Sequence, residues 1–163
     1  MKKGFTLVEL LVVISIIILL TGLVTTNYRA GQKSFYLQRS TQKLASDIRR
    51  VEEMAISTRE ISCGKPDYGI YVGPNFPTNS YILFADCNLN QHYDSGSDVK
   101  IEENQLETGV QIISVSPSPL NLTFTPPDPT VNVSGGTQAQ ILISNSAGQK
   151  TITVEKTGLI EIQ

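Results

Sequence analysis

The first strong pattern along the chain is a nearly unbroken apolar run from Phe5 to Val24, in which Glu9 is the single charged residue. As a helix that rises about 1.5 Å per residue, this run would be roughly 30 Å long, which matches the hydrocarbon core of a bilayer. Lys2 and Lys3 precede the run, and basic residues favour the cytoplasmic side of a membrane. We therefore predict a single-pass membrane helix whose N-terminus lies in the cytoplasm, with the bulk of the chain outside.

The helical pattern continues beyond the apolar run, because the first proline is Pro66 and apolar residues recur at spacings of three, four and seven. These apolar positions are Leu37, Leu44, Ile48, Val51 and Ala55. We predict one helix from Phe5 to about Ser57, its first half in the membrane and its second half packed on a sheet. Two helices with a hinge near Gly31 are the alternative, since glycine costs a helix about 1 kcal/mol relative to alanine.

After Arg59 the pattern changes to short runs of β-branched and aromatic residues separated by turn-forming residues. A hairpin is expected around residues 146–149, and a proline-rich loop with one short strand inside it at 117–129. We predict an α+β fold in which the long helix packs on an antiparallel β-sheet meander. The predicted strands are Tyr68–Val72, Tyr81–Ala85, Val99–Glu103, Val110–Val115, Leu122–Thr125, Gln140–Ser144, Thr151–Glu155 and Leu159–Ile162.

A secretory signal peptide also has a basic start and an apolar middle, but its small-residue cleavage site follows the apolar run. Residues 21–26 match such a site only weakly, whereas Gly4 stands before the run. A peptidase that cuts after Gly4 would leave the apolar helix on the mature protein.

The residues from Lys3 to Ile14, KGFTLVELLVVI, resemble the N-terminal signature of type IV pilins and type II secretion pseudopilins. In that family a membrane-embedded prepilin peptidase cuts after the glycine and methylates the new N-terminal residue. The resemblance places the cut at Gly4 and the methylated residue at Phe5. It divides the chain into a leader (1–4), a transmembrane and filament-core helix (5–27), an amphipathic continuation (28–60) and a β-rich extracytoplasmic head (61–163).

Glu9 matches the acidic residue of this signature, and physics also singles it out. A carboxylate inside an apolar helix costs about 2.5–3.5 kcal/mol on insertion scales, so its presence usually marks a function. After cleavage it would lie one helical turn from the new ammonium of Phe5 and could pair with the ammonium of a neighbouring subunit. The alternative is a carboxylate that sits near the membrane interface and reaches water.

A finer resemblance points to the H-type minor pseudopilins of type II secretion and to related minor pilins. It is carried by Tyr81–Asp86, the Asn/Asp-rich turn and acidic strand that follow, and the closing hairpin with Gly158 before the last strand. It implies a pilin-like fold with the helix packed on sheets.

Cys63 and Cys87 lie in the predicted exported head, where disulfides persist. We predict that they form a structural disulfide that ties the end of the helix to the turn after the second strand. Such a bridge would stabilise the head by about 3 kcal/mol in the chain-entropy model.

One loop has the spacing of a metal site, because five hard oxygen donors recur between Asp86 and Asp98. Calcium takes six to eight such oxygens, and the loop opens like that of an EF-hand. Gln91, however, stands where that loop requires glycine, and Ser97 where it requires glutamate. The alternative is a solvated turn built from the usual turn-forming residues. The five donors are Asp86, Asn88, Asn90, Asp94 and Asp98.

Composition argues against catalysis and against nucleic-acid binding. The 163 residues include one histidine, His92, and no Walker loop, dinucleotide fingerprint or nucleophile elbow, so we predict no enzyme. The chain has 13 basic and 15 acidic residues, and the head from 61 to 163 holds four lysines against ten carboxylates. Without a basic cluster on the strands, we expect no nucleic-acid partner.

These observations predict a structural subunit, of the minor kind, in a type II secretion pseudopilus or a type IV pilus. The resemblance implies prepilin peptidase, an inner-membrane assembly platform and other pilin-like subunits in a helical filament as partners. It implies the inner membrane, followed by an extracytoplasmic filament, as the location. No cofactor is required, with calcium as the one candidate. The alternative is a membrane-anchored module that binds calcium, sugar or a secreted substrate and does not polymerise.

Overall fold

A computed structural model describes residues 4–127 and 130–163 of the chain. Residues 1–3 of the predicted leader, which include Lys2 and Lys3, lie outside the described residues. These described residues form one long helix followed by nine strands, in agreement with the predicted α+β class.

The helix α1 runs from Leu7 to Ile56 without interruption, so a single helix is present and the alternative of two hinged helices is wrong. Its 50 residues correspond to a length of about 75 Å. Ser57 ends it, with a backbone N–H that bonds the carbonyl of Glu53 at 2.9 Å.

The two halves of α1 have different surroundings. From Leu37 onwards, one face of the helix is buried against strands β1, β5, β7 and β8 (bounds below). Between Leu7 and Leu20 the large apolar side chains are exposed. Within the described part of the chain, no helix combines the length and the apolar character needed to cross a bilayer. The membrane span predicted for residues 5–27 stays a prediction.

The strands form two antiparallel sheets. The first has the order β3-β2-β1-β5-β6 and the second the order β4-β7-β8-β9. The strands are β1 Asp67–Val72, β2 Ser80–Asp86, β3 Val99–Gln105, β4 Gln111–Ser116, β5 Leu120–Thr125, β6 Thr130–Val133, β7 Gln138–Asn145, β8 Gly148–Glu155 and β9 Ile160–Ile162.

The predicted meander is correct for β1 to β3 and for β7 to β9, including the expected hairpin between β7 and β8, and it is wrong between them. Strand β4 leaves the first sheet and pairs with β7, and β5 returns to pair with β1, where Ile70 lies opposite Leu122. The strand β6 was not expected. It pairs with β5, which is the one short strand expected inside the proline-rich loop of 117–129, and Leu122 lies opposite Val133.

The core lies where α1 covers the inner faces of both sheets. The helix contributes side chains such as Leu44 and Ile48, which are fully buried in one cluster with residues of the first sheet, such as Ile70, and of the second, such as Ile141 and Ile152. The apolar stripe predicted for the second half of the helix is therefore the face that holds the head together, and the first half is left outside the head.

Candidate processing and assembly site

The predicted cleavage point lies in an exposed stretch just before α1. Gly4 and Phe5 are exposed and non-helical, and Thr6 is the N-cap residue with an extended backbone. A peptidase needs an extended, accessible peptide bond, and helical hydrogen bonds would withhold it. The local structure thus leaves the bond after Gly4 open to attack.

Glu9 closes a capping box with Thr6. The backbone N–H of Glu9 donates to Thr6 Oγ1 at 3.2 Å, and the backbone N–H of Thr6 donates to Glu9 Oε2 at 3.4 Å. A reciprocal pair of this kind satisfies two N–H groups that the first turn would otherwise leave without partners. The carboxylate therefore sits at the positive end of the helix dipole, next to the position of the predicted new N-terminus.

Thr6 is a residue that the sequence reasoning missed. The signal was present, because a threonine followed three residues later by glutamate and then by an apolar run is the signature of a capping box. The same residues belong to the processing signature, and only Glu9 was assigned a role there.

The helix beyond this cap presents apolar side chains on all sides. Leu7, near its start, is 78% exposed, and Leu20, at the far end of this segment, is 56% exposed. The hydroxyls of Ser15 and Thr21 donate back to the helix carbonyls of Leu11 and Ile17, so their hydrogen-bond donors are satisfied within the helix. This segment is therefore a free apolar surface that the head does not cover.

The predicted disulfide between Cys63 and Cys87 is present, with 5.7 Å between the two Cα atoms. It joins the turn after α1 to the residue that follows β2. The bridge thus anchors the start of the loop that contains the five candidate calcium ligands.

That loop is organised by hydrogen bonds between its own carboxylates and nearby N–H groups. Asp86 accepts from the backbone N–H of Gln91 at 2.6 Å and from that of Asn90 at 3.3 Å. Asp98 accepts from the backbone N–H of Cys87 at 3.0 Å and from that of Asp94 at 2.7 Å. The carboxylates of Asp86 and Asp98 are occupied by N–H donors.

The remaining candidate ligands bond one another. The side-chain amides of Asn90 and Asn88 donate to Asp94 Oδ2 at 2.6 and 3.2 Å, and these two bonds lower the pKa of Asp94. Across residues 4–127 and 130–163, no group of three or more His, Cys, Asp or Glu side chains is placed to hold a metal ion. The geometry fits the alternative of a solvated turn better than a calcium shell.

The loop also covers the outer face of the first sheet. The ring of Tyr93 packs against Tyr71 and Phe84, with ring centroids 5.1 and 5.2 Å apart, and its backbone N–H donates to Asn121 Oδ1 at 2.9 Å. Phe84 lies so close over Gly69 that an added Cβ there would be 2.7 Å from its ring. The disulfide and Tyr93 thus hold the loop against the sheet from two sides.

Two buried carboxylates face each other next to this loop. Asp67 of β1 and Asp86 of β2 are register partners, and both are buried. Burial raises the pKa of Asp67, the charge of Asp86 raises it further, and the hydrogen bond from Thr125 Oγ1 at 2.9 Å opposes both effects.

A polar seam joins α1 to the edge of the first sheet. Asp47, buried on the helix, accepts hydrogen bonds from Tyr81 Oη at 2.5 Å and from Asn104 Nδ2 at 3.1 Å. Burial, followed by this bond to the carboxylate, raises the pKa of Tyr81. Farther out, Arg50 pairs with Glu102 at 2.8 Å on the surface.

Comparison with known families agrees with this architecture at both ends of the chain. The prokaryotic N-terminal methylation motif matches residues 1–25. The family model described as type II transport protein GspH matches residues 40–158, which is well over half of the chain. The chain belongs to the GspH family. No curated protein and no solved structure matches it significantly.

Membership of the GspH family confirms the resemblance on both of its levels, the prepilin-type N-terminus and the H-type head. It makes the chain a prepilin-type pseudopilin, and it implies processing by prepilin peptidase and contacts with other pseudopilins. The family also indicates a membrane-anchored extracytoplasmic subunit.

Proposed function

We propose that this pseudopilin is a minor structural subunit of a type II secretion pseudopilus or a related pilus. It is cut after Gly4, methylated at Phe5 and built into a helical filament through the first half of α1. The observation that carries this proposal is the exposed apolar surface of α1 between Leu7 and Leu20, which the head leaves without a covering partner.

Such a surface requires a partner for physical reasons. Burying one Val, Leu or Ile side chain is worth about 1.5–3 kcal/mol, and twelve of them are exposed in this segment, so water is a poor environment for it. Lipid covers it while the subunit is held in the inner membrane. The helices of neighbouring subunits replace the lipid when an assembly platform transfers the subunit to the filament.

Glu9 has two partners in this scheme, one before assembly and one after it. In the isolated subunit its carboxylate caps α1 through Thr6. In the filament it pairs with the methylated ammonium of a neighbouring Phe5, which removes two charges from an apolar setting at once. The capping box places the carboxylate at the end of the helix where that ammonium would arrive.

The test compares three variants for incorporation into filaments that are sheared from cells expressing the whole assembly machine. Glu9→Gln retains the side-chain length and a capping oxygen but removes the charge. Glu9→Ala removes the capping oxygen as well as the charge. Thr6→Ala removes only the cap, which should cost about 0.5–2 kcal/mol of helix stability. We expect both Glu9 variants to be processed normally and to lose most of their incorporation, while Thr6→Ala retains it.

Normal incorporation of Glu9→Gln would contradict the charge-pairing role. If Glu9→Ala and Thr6→Ala then lost incorporation while Glu9→Gln retained it, Glu9 would be assigned to capping alone. A subunit that works in cells lacking the peptidase, without ever leaving the membrane, would favour the alternative of an anchored binding module.

A further inference from the structure

A cleft of about 500 Å³ lies at the base of the head, where α1 leaves it. One wall is the helix, and the other is made by the loop between β3 and β4 together with the turn between β7 and β8. The residues that carry the argument are Lys33 and Tyr36 on the helix, Thr108 and Gly109 in the loop, and Asn145 and Ser146 in the turn.

The walls of the cleft are fixed by hydrogen bonds. Asn145 Nδ2 donates to the backbone carbonyl of Lys33 at 2.7 Å, and Asn145 Oδ1 accepts from the backbone N–H of Ala147 at 2.8 Å. Gln32 Nε2 donates to Tyr36 Oη at 2.8 Å on the helix side. The turn is therefore tied directly to α1, and the cleft has a defined shape.

The chemistry of the cleft suits an anion. In the described part of the chain, the ammonium of Lys33 has no ion-pair or hydrogen-bond partner, and the hydroxyls of Thr108 and Ser146 have none either. The nearby Glu107 is already paired with Arg39 at 3.2 Å. The cleft is thus lined by an ammonium and two hydroxyls that have no partner among the described residues.

The position of the cleft along the helix indicates which anion it meets. This step rests on the proposed membrane-held state. Lys33 lies six residues beyond residue 27, the end of the predicted transmembrane segment, which is about 9 Å along the helix. The headgroup layer is only about 5–8 Å deep on each side of a bilayer, and a lysine side chain reaches back toward it. Phe35, next to the cleft on α1, is 58% exposed and can enter the interface.

We propose that this base cleft binds the phosphate of a phospholipid headgroup and seats the head on the outer surface of the membrane before assembly. Lys33 supplies the charge, and the hydroxyls of Thr108 and Ser146 supply hydrogen bonds. Free phosphate shares this chemistry, but only the lipid is held at the level of the cleft by the same helix that anchors the chain.

The test measures hydrogen exchange of backbone amides in the full chain, placed either in phospholipid nanodiscs or in maltoside micelles, whose headgroups carry no phosphate. We expect the amides of residues 108–110 and 145–148 to exchange at least about threefold more slowly in nanodiscs, as for a site that is two-thirds occupied. Lys33→Gln should abolish this difference. Lys156→Gln makes the same change of charge at the other end of β8, about 25 Å from the start of that strand. This control variant should still show the slower exchange in nanodiscs.

Three results would overturn the proposal: no slowing in nanodiscs, slowing that persists in Lys33→Gln, or equal slowing when millimolar inorganic phosphate is added to the micelles. The last result would identify a site for free phosphate. A chain that does not co-elute with the nanodiscs would contradict the membrane-held state itself, so failure of the proposed function is distinguishable from failure of the cleft.

Discussion

The hydroxyl of Tyr81 on β2 donates a hydrogen bond of 2.5 Å to the carboxylate of Asp47 on α1, and both residues are buried. This bond joins the helix to the sheet at a point where apolar packing surrounds a charge. Asn104 on β3 donates to the same oxygen, so three elements meet at one carboxylate.

Tyr81→Phe should therefore destabilise the head. The variant leaves a buried carboxylate with one donor fewer, and hydrogen bonds to charged groups contribute about 1.5–3 kcal/mol. The measurement is urea unfolding of the full chain in micelles, with Tyr71→Phe as the control, because in the described residues the hydroxyl of Tyr71 makes no hydrogen bond. Equal losses in the two variants would show that the bond to Asp47 contributes little.

Removal of the disulfide should lower the free energy of unfolding by about 3 kcal/mol, the chain-entropy value for a bridge that spans 24 residues. The measurement compares wild type with the Cys63→Ser/Cys87→Ser variant, each with and without reductant. Wild type should respond to reductant and the double variant should not. A wild-type chain with two titratable thiols after purification without reductant would contradict the bridge.

Calcium should leave the melting temperature unchanged within about one degree when millimolar calcium is compared with a chelator. The physical reason is that the carboxylates of Asp86, Asp94 and Asp98 already accept bonds from N–H donors, Asp94 through Oδ2 alone, so a cation would have to compete with those bonds. A rise of several degrees, lost in Asp94→Asn, would restore the calcium alternative.

The buried Asp67 should make stability depend on pH. Its folded-state pKa is raised above the ordinary value of 3.8, so the folded state binds this proton more tightly than the unfolded state does. Ionised Asp67 therefore costs stability above the raised pKa, and the cost disappears as the pH falls below the ordinary value. Asp67→Asn retains an acceptor for Thr125 and lacks this titration. We expect the stability of the variant relative to wild type to be higher at pH 7 than at pH 3.5, and a difference independent of pH would contradict this.

Much of the fold could be predicted from the sequence because its signals are local. The apolar stripe of α1 and the short β-branched and aromatic runs between turn-forming residues were sufficient to find the helix and eight strands, within about two residues for most strand ends. The two-sheet topology could not be found in this way, since pairing of β1 with β5 and of β4 with β7 depends on contacts between distant segments. The strand β6 was missed because the prolines before it favour a loop.

The candidate functional residues also divide into those with a local sequence signal and those that only folding brings together. The roles of Gly4, Phe5 and Glu9 were predicted from a contiguous signature and stay predictions, whereas the bond between Asp47 and Tyr81 joins residues 34 positions apart and requires the packed helix. The loop with five oxygen donors between Asp86 and Asp98 has a clear local signal, but that signal has two interpretations. Its composition suits both a calcium shell and a turn, and a choice between them depends on the direction of each side chain, which the sequence does not give.

The central claim is that the apolar helix is retained after a cut at Gly4 and serves as the assembly element. Its most direct test is the intact mass of the full chain expressed with and without prepilin peptidase. With the peptidase, we expect the loss of Met1–Gly4 and the gain of one methyl group on Phe5, and without it the uncut chain. A mature chain that begins downstream of Thr25 would contradict the account, because the apolar segment would then have been discarded as a signal peptide.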